Sequence, residues 1–380
     1  MVGGVRKLLV ACVLGTAPAA LAAQVLDSSL RIVAEERYDD DLRLSTAGGG
    51  QFMTKLSPRL GLELKDPRSK GESFYATDLL IRHGSGTVTL DHRGGLDVNH
   101  ALSRRLQLAF TSRIYRVTDP TSLPRDGVAR TLAPTLYGQA RVSATGRATR
   151  RWDVRGSYAF EGAKVYEDGN QPGFAHTPSV EAWYRSTRRL ALGLEYRYQG
   201  FLYGDTYSQA HGAFAGLRYR LSRLTTLTAR GGPVRYTSPE GQAGWLPRIS
   251  VGLDREGRLF DLGFAVGHDL VGSSSFDRAL WADYASLVLA RRFNDRLSVN
   301  AAASYFRNGH APSEGAFSLS ESPLMSQGYA VECGAEYRFT RYLALQGTIN
   351  RIAQVGTGDA AAGVDLARNV LAVRLVISAW

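Results

Sequence analysis

The sequence predicts an all-β fold: a transmembrane antiparallel β-barrel of about 18 strands, with short periplasmic turns and longer extracellular loops. Three observations carry that reading. From about residue 29 onward, almost every segment alternates apolar and polar side chains with period two, as a strand with one dry and one wet face must. The segments run to roughly ten to fourteen residues, longer than most soluble strands and sufficient for a tilted membrane strand. The polar side carries Gly, Ala, Ser, Thr and charged residues, as the wall of a wet lumen would, and a sheet in lipid must close because an open edge strands its N–H and C=O groups.

The chain opens with Arg6 and Lys7, an apolar run from Leu8 to Leu14, and Ala20-Leu21-Ala22 as a small-x-small cleavage site. Residues 1–22 thus read as a secretory signal peptide and 23–380 as a single outer-membrane barrel domain. Leu9-Val10-Ala11-Cys12 resembles a lipoprotein box but leaves almost no apolar stretch ahead of the cut. No run approaches the roughly twenty apolar residues of a spanning helix. After cleavage Cys333 stands alone, so no internal disulfide is expected.

Alternation is clearest from Arg189 to Gln199. Leu190, Leu192, Leu194, Tyr196 and Tyr198 point one way; Ala191, Gly193, Glu195, Arg197 and Gln199 point the other. The same split sets Leu106, Leu108, Phe110 and Ile114 against Gln107, Thr111 and Arg113, and Tyr329, Val331, Cys333, Ala335 and Tyr337 against Glu332, Glu336 and Arg338. Strands are expected near 28–38, 51–64, 73–82, 86–98, 104–117, 129–144, 150–163, 176–186, 189–201, 208–219, 225–235, 246–256, 259–270, 281–290, 297–307, 326–338, 343–354 and 366–379. Alternation is weakest between residues 28 and 98, which leaves a count of sixteen open. Short connections such as STRR (186–189), RLSRL (220–224) and RFTRY (338–342) separate longer ones rich in Gly, Pro, Ser, Asp and Asn. The last strand ends on Trp380, an aromatic terminus of the kind that marks barrels for insertion, although Trp380 falls in phase with Arg374 rather than with the apolar set. Phe74, Tyr75, Tyr115, Tyr184, Phe201, Tyr203 and Trp281 are candidates for the interfacial aromatic girdles.

The formal net charge is +11. Export and the absence of nucleic-acid motifs argue against a nucleic-acid partner, so the charge is assigned to rims and lumen. The expected pore-lining residues are Arg113, Glu195, Arg197, Arg218, Arg230, Glu332, Glu336, Arg338 and Arg374. Mixed charges with an arginine excess would favour anions or sugar hydroxyls and carboxylates. No nucleophile elbow, zinc-protease helix motif, P-loop or C-x-x-C occurs, and the seven histidines are scattered. Neither catalysis nor a cofactor or metal is expected. Asp39-Asp40-Asp41 lacks the spacing of a calcium loop and reads as a solvated loop.

Glu35-Glu36-Arg37-Tyr38-Asp39-Asp40-Asp41-Leu42 and Phe52-Met53-Thr54-Lys55-Leu56-Ser57-Pro58-Arg59-Leu60-Gly61-Leu62 resemble the opening of a family of outer-membrane barrels associated with bacterial exopolysaccharide export. Asp41 stands where that family commonly has Asn, and no periplasmic helical-repeat domain accompanies the barrel. The resemblance implies an outer-membrane channel that passes an exopolysaccharide to the cell surface. It would depend on a periplasmic polysaccharide export protein, inner-membrane polymerase or co-polymerase machinery, and the barrel-assembly machinery during insertion. The alternative is a general or anion-preferring diffusion porin, with the 308–325 loop long enough to fold inward as a constriction. A monomer is expected.

Overall fold

The structure is a computed structural model that describes residues 25–40, 49–118, 134–166, 171–273, 278–310, 324–356 and 365–379. The expected signal peptide, Asp41, most of the 308–325 loop and Trp380 lie outside the described residues.

Eighteen strands follow one another along the chain. They are β1 (Val25–Asp39), β2 (Gln51–Lys65), β3 (Ser69–Arg82), β4 (Val88–Ala101), β5 (Leu106–Val117) and β6 (Thr135–Arg147). Next come β7 (Trp152–Val165), β8 (Gly173–Arg185), β9 (Leu190–Tyr203), β10 (Thr206–Arg220), β11 (Thr225–Thr237) and β12 (Ala243–Arg255). The last are β13 (Phe260–Ser273), β14 (Arg278–Arg292), β15 (Leu297–His310), β16 (Leu324–Arg338), β17 (Leu343–Gly356) and β18 (Leu366–Ala379). Each pairs antiparallel with its sequence neighbours, and β1 pairs with both β2 and β18, so the sheet closes with no free edge. Sixteen strands is excluded: residues 25–101 supply four strands despite their weak alternation.

The apolar side of the alternation faces outward. Leu192, Leu194 and Tyr196 on β9, Val142 on β6, Ile349 on β17 and Leu371, Val373 and Leu375 on β18 are all exposed. In water such a continuous apolar surface would drive aggregation; in lipid it is the solvated face. Cys333, a free thiol, stands on this outer side of β16.

The short turns are locally encoded. In seven of them an Asp, Asn, Ser or Thr accepts hydrogen bonds from backbone N–H groups two or three residues ahead. Thr187, for example, accepts from the N–H of Arg189 at 3.1 Å and of Leu190 at 2.9 Å. Ser103, Thr149, Ser222, Asn294, Thr340 and Asp66 repeat the arrangement. At the opposite end, β9 and β10 are joined through Gly204, whose φ of +53° suits glycine.

Five of the seven girdle candidates do not face lipid. Phe74 and Tyr115 are on inner-face register positions, Phe74 under the Arg59 guanidinium at 4.1 Å and Tyr115 stacked on Tyr137. Phe201, Tyr203 and Trp281 are buried in one interior cluster. Aromatic content near a strand end does not settle its face; parity with the neighbouring ladder does. The exposed aromatic residues near the short turns are instead Trp152, Phe260, Phe293, Phe339 and Tyr342.

Candidate functional site

The lumen is the one extended polar surface of this fold, and its shape is set by a departure from regular pairing. β12 and β13 pair only between Ile249–Arg255 and Leu262–His268, whereas β13 and β14 stay paired out to Ser273 and Arg278. Beyond His268 the β13–β14 hairpin therefore separates from β12 and leans across the barrel toward β8 and β9. Leu270, Ala279 and Trp281, which the alternation would put outside, are buried with Phe201, Tyr203, Phe214, Val234, Tyr236 and Leu246 from the inner face of β9–β12. Gln199 Nε2 donates to the Leu270 carbonyl at 3.4 Å and ties the hairpin to the far wall. The lumen at the long-loop end is thus partly filled by a packed apolar cluster.

Below that cluster lies a chain of ion pairs. Arg248 meets Asp269 at 2.6 Å, and Arg197 lies 3.9 Å from the same carboxylate. Arg197 also donates to Glu195 at 2.6 Å; Arg230 bridges Glu195 at 3.0 Å and Glu181 at 3.2 Å. Arg155 approaches Glu181 at 3.8 Å. Trp183 donates its indole N–H to Glu181 at 3.1 Å and lies flat over β9 and β10, where a Cβ on Gly193 or Gly216 would come within 2.8 or 2.9 Å of its ring. The Arg218 guanidinium sits 4.3 Å above that ring and projects into the open lumen. Five arginines here face three carboxylates, so the wall keeps a positive excess.

The nine residues expected to line the pore occupy register positions opposite the lipid-facing set. Glu195, Arg197, Arg218 and Arg230 come together in the network just described. Arg113 stands apart on β5, donating to Asp97 and, at 2.8 Å, to the Ser112 carbonyl. Glu336 accepts from Arg338 at 2.6 Å and from Gln346 at 2.6 Å, close to the short-turn rim, and Glu332 accepts from Asn350 at 3.1 Å. Arg374 pairs with Glu35 across the β1–β18 junction. Sequence reasoning missed Glu181, Trp183, Arg248 and Asp269. Arg248 follows Pro247 within its strand, and Asp269 reaches Arg197 on β9 only because its hairpin leans inward. Among the described residues, no group of three or more His, Cys, Asp or Glu side chains is placed to hold a metal.

An outward apolar wall, a closed 18-stranded ladder and a charged inner face occur together only where lipid surrounds water. The chain is an outer-membrane β-barrel. No protein-family model and no curated protein matches this sequence. The structure is similar to OpdL of Pseudomonas aeruginosa, with 14% identity, 93% of this chain and 99% of that one covered, and a TM-score of 0.46. It is also similar to OccAB4 of Acinetobacter baumannii at 10% identity, covering 93% and 98%, TM-score 0.44. A third is the FrpB iron transporter of Neisseria meningitidis at 11% identity, covering 91% of this chain and 65% of that one, TM-score 0.46.

The resemblance to exopolysaccharide-export barrels is corrected: neither a family model nor a curated protein of that description matches this sequence. The residues that suggested it have a local explanation. Glu35 and Asp39 hold the β1–β18 seam through Arg374 and Arg368. Leu56, Leu60 and Leu62 are exposed on the lipid side of β2. Both segments do what the first two strands of a closed barrel require, whatever passes through it.

Proposed function

We propose that this barrel is a diffusion channel of the outer membrane with a preference for small anions, and that the nine inner-face charges line its route. The observation that carries this is the positive excess around the constriction, with Arg218 exposed over Trp183 rather than consumed in an ion pair. Barrels of this strand number leave an aqueous interior, and inner-face Val288 at 52% exposure is consistent with water reaching the wall. A low-dielectric wall bearing one sign of charge concentrates the opposite sign of solute. The bilayer potential at zero current under a KCl gradient tests the reading. Chloride preference that weakens in R218Q and R230Q supports it. Potassium preference overturns it, and absence of any conductance favours instead a structural barrel whose lumen is filled.

A further inference from the structure

The short-turn end of the barrel is strongly basic. Segments 65–70, 104–105, 147–153, 185–189, 220–223, 254–261, 291–296 and 338–341 hold 20 of the 46 Lys and Arg residues but only 6 of the 35 Asp and Glu. Their surplus alone exceeds the net charge of the whole chain, +11. A lumen lining does not explain this collar, because four of its arginines are seated on the aromatic residues of the turn end. Arg291 lies 4.6 Å from the Phe293 ring, Arg341 4.5 Å from Tyr342 and Arg255 6.0 Å from Phe260. Arg151 donates to the Tyr184 hydroxyl at 3.1 Å. All four are exposed, and among the described residues none has a carboxylate partner within ion-pairing range.

Aromatic girdles sit at the headgroup level of a bilayer, and short turns face the periplasm. A guanidinium held on such an aromatic residue is therefore at the depth of the lipid phosphates, with most of its N–H donors unspent. We propose that the short-turn rim binds anionic phospholipid headgroups of the periplasmic leaflet, with Arg151, Arg255, Arg291 and Arg341 as the phosphate-contacting residues. The partner is a lipid rather than an acidic protein because Arg255 and Arg291 hold outward register positions opposite Leu262 and Phe260, beside the acyl-chain belt, and Arg151 and Arg341 are held on aromatic residues of the same rim.

The test uses the full chain in nanodiscs of equimolar phosphatidylcholine and phosphatidylglycerol, followed by mild extraction and native mass spectrometry of the retained lipids. Wild type should retain phosphatidylglycerol about fivefold over phosphatidylcholine, the ratio that about 1 kcal/mol per basic residue at a charged surface gives. R151Q/R255Q/R291Q/R341Q should fall to near parity. R104Q/R188Q/R223Q/R258Q, at turn arginines not seated on aromatic rings, should keep most of the preference. Heat-dependent gel mobility checks folding, and R291Q/R341Q replaces the fourfold variant if that one does not fold. No preference in wild type overturns the proposal. Equal loss in both variant sets also overturns it, since a rim that attracts anions indiscriminately suits an acidic periplasmic protein as well as a lipid.

Discussion

Asp39 and Arg368 are 329 positions apart, both buried, and joined by a two-point hydrogen bond in which Arg368 Nε lies 2.9 Å from Asp39 Oδ1. The pair ties the first strand to the last at the long-loop end, where Asn369 also donates its backbone N–H to Asp40 at 2.6 Å. Removing one partner leaves the other charged and buried. D39N should destabilise the folded barrel by about 3–5 kcal/mol, read from urea unfolding in detergent, whereas replacing both residues with apolar ones should recover much of that loss. A barrel indifferent to D39N would mean that the seam is held by backbone pairing alone.

The inward hairpin makes its own prediction. D269N removes the carboxylate that Arg248 and Arg197 share, raising the positive charge at the constriction. Chloride selectivity should increase, seen as a larger reversal potential in a KCl gradient. A shift toward potassium would mean that Asp269 does not face the conducting route.

Between β10 and β11 the ladder is interrupted near Gly232, where an added Cβ would lie 2.0 Å from the Ala213 carbonyl oxygen. Backbone cannot yield as a flexible side chain does. G232V should cost about 1–3 kcal/mol by overpacking and lower the yield of heat-resistant barrel. Folding at wild-type yield and stability would show that the wall can relax there.

At the turn between β2 and β3, hydrogen bonds from the Arg68 and Ser69 backbone hold the Asp66 carboxyl below the usual carboxylate range. Its contribution is complete above the ordinary aspartate pKa and is lost as pH falls through the lowered folded value. NMR of the Arg68 and Ser69 amides should show that low titration in wild type and none in D66N. A titration at the ordinary aspartate position would remove the capping role.

Cys333 gives a direct check on which face is which. With the barrel in lipid, a membrane-impermeant maleimide should leave Cys333 unmodified, while C333A/E332C, with the thiol moved to a half-buried inner-face position, should react. Rapid labelling of Cys333 by the impermeant reagent would reverse the assignment of faces.

Much of this fold is legible in the residues because each strand declares its two faces locally. The split of Leu192, Leu194 and Tyr196 from Glu195 and Arg197 holds in the structure, and the turns between strands announce themselves through residues such as Thr187 and Asn294. Boundaries were less legible: β3 begins at Ser69 rather than near 73, and β6 runs on to Arg147 rather than ending near 144. Five of the seven girdle candidates failed for a related reason. Phe201 and Tyr203 are as aromatic as any interfacial residue, yet they turn inward to pack against Trp281.

Alternation with period two, together with the segment length and the small, polar residues of the wet face, determined that this chain is a closed membrane sheet, and parity alone determined which side chains share a face, because successive side chains of a strand point to opposite sides. Which inner-face charges meet was decided by tertiary structure. Arg197 on β9 meets Asp269 on β13 only because β13 and β14 leave the wall beyond His268, and Asp39 meets Arg368 only because closure brings the two ends of the chain side by side. Pairing across 329 positions, or across a fold in the wall, leaves no periodic trace in the sequence, since it depends on register and closure rather than on any residue's neighbours.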